Sequence, residues 1–178
     1  MEDDAALLTR WGNGDDDAGE RLFERYFDPM HRFFASKVSA GSEDLVQRTF
    51  VACIEKHGTI REASSFRAFL YGIARFELLM YLRRIHADKE REIDPLASSM
   101  ADLDPSPSQL VVEGEEQRQL LDALREVPVD LQIVIELHYW EELSTAEIAS
   151  VLEIPQGTVK SRLRLARERL ARALEPRA

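Results

Sequence analysis

The densest cluster of chemistry-bearing side chains in this 178-residue chain lies between Lys160 and Arg172, where six basic residues face the single acid Glu168. Lys160, Arg162, Arg164 and Arg167 follow Gly157-Thr158 at helical spacing, and such side chains donate to phosphate oxygens and to guanine edges. At about 100° per residue, Val159, Leu163, Ala166, Leu170 and Leu174 fall within one sector of roughly 80°, a core-facing stripe. Lys160, Arg164 and Arg167 share a neighbouring sector of roughly 60°, and Arg162 lies on the other flank. Gly157 and Thr158, at the helix start, leave backbone N–H groups for a phosphate oxygen. The alternative is a solvated helix face or a protein-binding helix pair. Other reactive residues do not assemble. Adjacent Asp15, Asp16 and Asp17 point in different directions with no His beside them, and His31, His57, His86 and His138 have no ligand spacing. The lone Cys53, among apolar neighbours and without a base, reads as core filler. No catalytic set, metal site or cofactor is expected.

The elements that must position the basic face come next. Ser144-Thr145-Ala146-Glu147 fits a capping box, and the helix it starts carries Ile148, Ala149, Val151 and Leu152 on its packed side. Glu153-Ile154 make a short turn, and Pro155 suits the entry to the basic helix. Two short amphipathic helices joined this tightly form a helix-turn-helix. Upstream, Leu120, Leu121, Leu124 and Val127 define one helix that stops before Pro128, and Leu131, Val134, Ile135 and Leu137 define another. Nearer the N-terminus, a stripe from Leu22 to Phe34 makes a helix bent or interrupted by Pro29. Ser42 is a cap for a helix that contains Leu45, Val46, Thr49 and Cys53 and ends near Gly58. Ser64 or Ser65 caps a third, with Phe69, Leu70, Ile73, Ala74, Leu78, Tyr81 and Leu82 inward. Residues 88–113, with Pro95, Pro105 and Pro107 and no apolar period, read as a linker. The expectation is an all-α chain: a helical domain over residues 1–87 and a second over 114–178, joined by a flexible linker.

The formal charge of −10 looks unfavourable for nucleic acid until it is divided. Residues 1–20 carry −6 and residues 88–116 carry −7, while residues 21–87 carry +4 and residues 117–178 only −1. Attraction to phosphate follows such local patches more than the total. The acidic start and linker are expected to be solvated, and able to shield the basic faces. One cysteine excludes a disulfide framework. No apolar run approaches the ~20 residues of a membrane span, and Met1-Glu2-Asp3-Asp4 is not a signal leader. A cytoplasmic location is expected.

Several motifs together resemble the sigma-70 family of bacterial RNA polymerase initiation factors, in its small extracytoplasmic-function group. Leu124-Arg125-Glu126-Val127-Pro128 is similar to A-L-x-x-L-P, Leu143 through Ala149 to L-S-x-x-E-I-A, and Gly157 through Leu163 to G-T-V-K-S-R-L. In the first block, Asp44 through Phe50 resembles D-L-V-Q-E-T-F, Phe66 through Ala74 resembles F-x-x-W-L-x-x-I-A, and Leu8 through Asp15 resembles the opening helix. The resemblance implies a non-enzymatic factor with two readers, region 2 and region 4. Region 2 would meet the polymerase clamp through Asp44, Leu45, Gln47 and Arg48. It would read the −10 element with Arg61, Ser64, Ser65, Arg75, Phe76, Arg83 and Arg84. Region 4 would bind the polymerase flap and read the −35 element with Gly157, Thr158, Lys160, Ser161, Arg162, Arg164 and Arg167. An anti-sigma protein is the implied inhibitor. Aromatic rings among the arginines of the first block suit stacking on unpaired bases. Phe76 stands where relatives carry a polar residue, often Asn, and Leu165 where many carry a base; Phe76 reads either as core or as DNA-facing. The alternative function is a stand-alone helix-turn-helix regulator with an N-terminal partner-binding domain.

Overall fold

The computed structural model describes residues 2–60, 66–87 and 94–175, and every regular element within them is helical. α1 (Asp4–Gly12) and α2 (Asp16–Ala35) each start at an aspartate whose carboxylate accepts a first-turn amide, Asp3 from Ala6 and Asp15 from Ala18. The acidic start is therefore not a solvated tail. Leu7, Leu8 and Trp11 are buried, while Glu2 and Asp15 pair with Arg10, Glu2 with Arg21 and Asp4 with Arg25. Gly19 lets α1 lie close, since a Cβ there would meet the Trp11 ring at 2.7 Å. Pro29 sits inside an unbroken α2, at the loss of one intrahelical donor.

α3 (Ser42–Lys56) begins behind Gly41 at φ +82°, so Ser42 is its first residue and not its cap. A 3-10 turn over His57–Thr59 follows, with His57 stacked on Trp11 at 4.1 Å. α4 (Phe66–Ile85) is the hub, burying Phe66, Leu70, Tyr71, Ile73, Leu78 and Leu82 among others. Ser64 and Ser65, read as its cap, lie outside the described residues.

The second half holds α6 (Glu115–Glu126), α7 (Val129–Tyr139), α8 (Thr145–Leu152) and α9 (Gln156–Leu174), with a short α5 (Met100–Leu103) before them. Residues Val129 and Leu131 through Leu137 of α7 are all buried, as befits a helix that is apolar nearly all round. One face, with Leu131 and Ile135, packs in a small cluster with Leu124, Val127 and Ala166. The other, with Ile133, Val134 and Leu137, joins α8 in the large core that also contains Leu22, Phe34 and Leu70 of the first half. The two halves thus share a core.

Where they meet, Lys37 Nζ pairs with Glu136 of α7, and both side chains are at most 1% exposed. Lys37 also donates to the Phe33 carbonyl (2.7 Å) and lies 3.9 Å from that ring. Ser36 Oγ and Gln132 Nε2 donate to Glu136 at 3.2 and 2.8 Å. Burial pulls the Lys37 ammonium below its usual value, and the Glu136 carboxylate works to hold it up. Half-exposed pairs ring the interface: Arg32 with Glu141, and Arg67 with Glu147 at 3.0 Å.

The proline-containing segment, read as a loose linker, is bound to both halves over much of its described length. The amides of Gln109 and Leu110 donate to the carbonyls of Val38 and Ala35, each at 2.9 Å. The amides of Val129 and Asp130 donate to Ser98 and Leu96. Arg125, itself buried, donates to the carbonyls of Lys37, Asp104 and Ser106. Buried backbone needs such partners, and a single guanidinium supplies several of them.

Candidate nucleic-acid interface

The helix-turn-helix is built as its sequence suggests. Ser144 Oγ accepts from the Glu147 amide at 3.2 Å, and Glu147 accepts from the Ser144 amide at 2.8 Å. α8 ends at Glu153 in the left-handed region, φ +55°. Gln156 Nε2 then reaches back to Thr145 Oγ1 at 2.7 Å, tying the start of α9 to that of α8. Burial works against the Glu147 carboxylate, yet hydrogen bonds from Ser144 and Arg67 keep it below its usual value. Among the described residues no side chain caps α9, whose N-cap is Pro155. The Thr158 amide donates to the Pro155 carbonyl at 2.9 Å, so of the two amides read as open to phosphate, this one is already engaged.

α9 buries Val159, Leu163 and Ala166. Leu170 is half-buried and Leu174 46% exposed, so the core stripe fades toward the C-terminus. Lys160, Ser161 and Arg164 are exposed, and neither Lys160 nor Arg164 forms an ion pair with a described residue. Arg167 Nε donates to Tyr139 Oη at 2.6 Å, with its guanidinium 5.6 Å from that ring. Arg162 departs from the outward set. It is half-buried and stands 3.4 Å from Asp130 at the start of α7.

In the first half, Phe76 is 53% exposed and outside the core, which removes the reading that buries it. Arg83 and Arg84 are exposed in the last turn of α4, and Arg84 lies 5.7 Å from the Tyr81 ring. Arg75 is half-buried, and its Nε has no hydrogen-bond partner among the described residues. Burial and then the neighbouring Arg162 lower its pKa, opposed by Glu153 and Asp130. Arg75 and Phe76 edge an open cleft of about 560 Å³ between α3, α4 and α8, together with Lys56, Phe69, Glu77 and Glu153. Arg61, Ser64 and Ser65 lie outside the described residues.

On α3, Asp44, Gln47 and Arg48 are exposed, and Arg48 Nε meets Asp44 at 2.9 Å. Leu45, read as a contact residue, is only 1% exposed. It is an anchor that turns the polar face outward. The sequence reading missed what continues that face: Val51 and Ile54, about half exposed. Their i+7 and i+10 spacing from Asp44 was the available signal. Phe27, 49% exposed, edges a shallow apolar groove with Phe23, Phe50, Glu24 and Asp28. A second apolar groove, missed likewise, runs over Leu120, Leu124, Ile135, Trp140, Leu170 and Leu174.

Among the described residues no group of three or more His, Cys, Asp or Glu is placed to hold a metal ion. Cys53 is buried and its thiol is pushed up to about 12, which makes it a poor nucleophile. No described helix is long and apolar enough to cross a membrane.

Comparison with known proteins identifies the family of both halves. The profile described as sigma-70 region 2 matches residues 22–87, and that of sigma-70 region 4 matches residues 117–170. The chain is 31% identical over 183 residues to the ECF RNA polymerase sigma-E factor of Haemophilus influenzae, with 97% of this chain and 96% of the relative covered. It is 28% identical to the RNA polymerase sigma-H factor of Pseudomonas aeruginosa, over 99% of this chain and 96% of that one. Two solved structures share the fold. CnrH in complex with the cytosolic domain of CnrY has a TM-score of 0.69 at 22% identity, covering 97% of both chains. The sigma factor RpoE in complex with the anti-sigma factor NepR from Bartonella quintana has a TM-score of 0.63 at 24% identity, covering 89% of this chain and 99% of that one. The chain therefore belongs to the extracytoplasmic-function group of the sigma-70 family of RNA polymerase sigma factors.

Proposed function

We propose that this factor binds core RNA polymerase and divides promoter recognition between α4 and α9. The observation that carries this reading is the pair of exposed basic faces, one on each half. One carries an exposed ring for an unpaired base, and the other tops a helix-turn-helix suited to the major groove. Arg75, Phe76, Arg83 and Arg84, with Arg61, Ser64 and Ser65, serve the −10 element. Lys160, Ser161, Arg164 and Arg167, with Gly157, Thr158 and Arg162, serve the −35 element. Asp44, Gln47 and Arg48, extended by Val51 and Ile54, dock on the polymerase clamp, and the groove beside Trp140 receives the flap. The two readers are region 2, over residues 1–87, and region 4, over 114–178, with residues 88–113 as the connection. The factor does no chemistry of its own, because the polymerase makes the bonds. It works in the cytoplasm under an anti-sigma protein, as the RpoE complex with NepR suggests by similarity.

The test is run-off transcription with purified core polymerase on genomic promoter fragments. Discrete transcripts that depend on this chain are expected, and Asp44→Arg should reduce both those transcripts and co-purification with core. Tight binding to promoter duplex by the chain alone, without any effect on transcription, would instead make it a stand-alone regulator.

A further inference from the structure

Tyr139 ends α7 with a ring that is 52% exposed and yet held on two sides. The His138 ring meets it edge-on at 4.9 Å, and the Arg167 guanidinium of α9 lies 5.6 Å from it. The backbone beneath is equally fixed. The Trp140 and Leu143 amides donate to the carbonyls of Glu136 and Leu137, each at 2.9 Å, and His138 Nδ1 donates to the Leu143 carbonyl at 3.1 Å.

Arg167 Nε donates to Tyr139 Oη at 2.6 Å, and the direction of that bond matters. A phenol oxygen that accepts from a guanidinium keeps its own O–H free to donate, and the guanidinium keeps the N–H bonds of its two terminal nitrogens. Among the described residues those terminal nitrogens have no hydrogen-bond partner and Arg167 pairs with no carboxylate. Because its partner is neutral, the guanidinium keeps its whole charge while losing its freedom to turn. That favours an anion, since the cost of ordering a long side chain is met before the anion arrives.

The neighbours on α9 indicate which anion. Arg167 shares a sector of roughly 60° with Lys160 and Arg164, which are exposed and form no ion pair with a described residue. The row from Lys160 to Arg167 runs about 10 Å along the helix axis. A row of cations with no acid among its partners matches an extended polyanion, whereas one carboxylate of a protein would match a single member.

We propose that Tyr139 and Arg167 form one clamp for a phosphate oxygen of the DNA backbone beside the −35 element, in which Tyr139 aims the guanidinium and gives its own O–H to the same phosphate. This rests on the promoter-reading assignment and adds to it a residue outside the recognition helix. The clamp supplies affinity and register without sequence preference, because a phosphate is alike beside every base.

The test uses the factor assembled with core polymerase, on a set of −35 variants and over a series of salt concentrations. Tyr139→Phe removes the hydroxyl and keeps the ring that edges the groove beside Trp140. It should weaken binding to every member of the set by about tenfold, with the melting temperature and co-purification with core unchanged. Arg167→Gln should weaken the set as evenly, and should also lower the slope of log affinity against log salt by about one. Tyr139→Phe, neutral for neutral, should leave that slope in place. In the Arg167→Gln background Tyr139→Phe should cost much less than in the parent, because the two side chains act as a unit. Equal costs in both backgrounds would overturn the joint clamp, and a loss confined to some −35 variants would overturn phosphate as its ligand. Weaker core binding with unaltered promoter affinity would overturn it too, by assigning the pair to an acid of the polymerase. If Tyr139→Phe changes nothing, the clamp is overturned while the promoter-reading assignment stands. A parent complex that selects no promoter removes that assignment, and the clamp with it.

Discussion

α4 and α9 both present arginines to solvent, but they are held in opposite ways. α4 is packed over most of its surface and leaves only a narrow strip outside, with Phe76, Met80, Arg83 and Arg84. α9 rests on Val159, Leu163 and Ala166 and exposes most of the rest. The difference teaches where function and stability can be separated. On α9 nearly every outward residue is free to change with little cost to the fold, whereas on α4 the readers sit one residue away from the core.

The largest expected effect comes from removing the anchors. Leu163→Ala should cost about 2–5 kcal/mol and release α9, with exchange protection lost in α9 while α2 and α3 keep theirs. Leu70→Ala in α4, of similar size, should instead lower protection throughout the first half. Protection lost equally everywhere in both variants would erase the distinction. A smaller effect is expected at the outward row. Arg164 is exposed, so Arg164→Ala should leave the melting temperature unchanged while removing about 1–3 kcal/mol of base discrimination at the −35 element. Binding to a set of −35 variants checks this, and a uniform loss over all of them would assign Arg164 to phosphate instead. The smallest effect on stability is expected at Phe76. Being exposed, Phe76→Asn should change stability by less than about 0.5 kcal/mol. It should also narrow the −10 preference, because an amide reads a base edge where a ring stacks on any base. Thermal melts beside a −10 library selection measure both.

Much of this architecture is legible in local pattern. The capping box at Ser144 and Glu147, the turn at Glu153 and the buried row Val159, Leu163 and Ala166 each follow from spacing within one or two helical turns. What escapes the sequence is what depends on contacts between distant segments. Arg162 looks like any other arginine of its helix until Asp130 and Arg75 are placed beside it. Lys37 looks like a surface lysine at the end of an aromatic helix, and Glu136 like one polar position in α7, until the halves meet. A weak signal was present: Gln132 and Glu136 stand one turn apart in the otherwise apolar stretch Leu131 to Leu137, an unusual place for either unless something polar faces them. Acidity misled for the opposite reason, since the early carboxylates answer Arg10, Arg21 and Arg25 rather than water.

The bound connector also has a thermodynamic side. Each ordered residue gives up roughly 1–2 kcal/mol of backbone entropy, and the stretch from Leu96 to Leu110 is fastened at points along its length. Whatever frees it returns that entropy, so warming should favour release even though the buried charges oppose it. The span gained is large, at up to about 3.3–3.6 Å per residue. Because the cost of closing a loop rises only slowly with its length, residues inserted between its fastened points would hardly alter how readily the halves come together. They would alter how far apart the halves can work, and connector length therefore sets reach rather than closure.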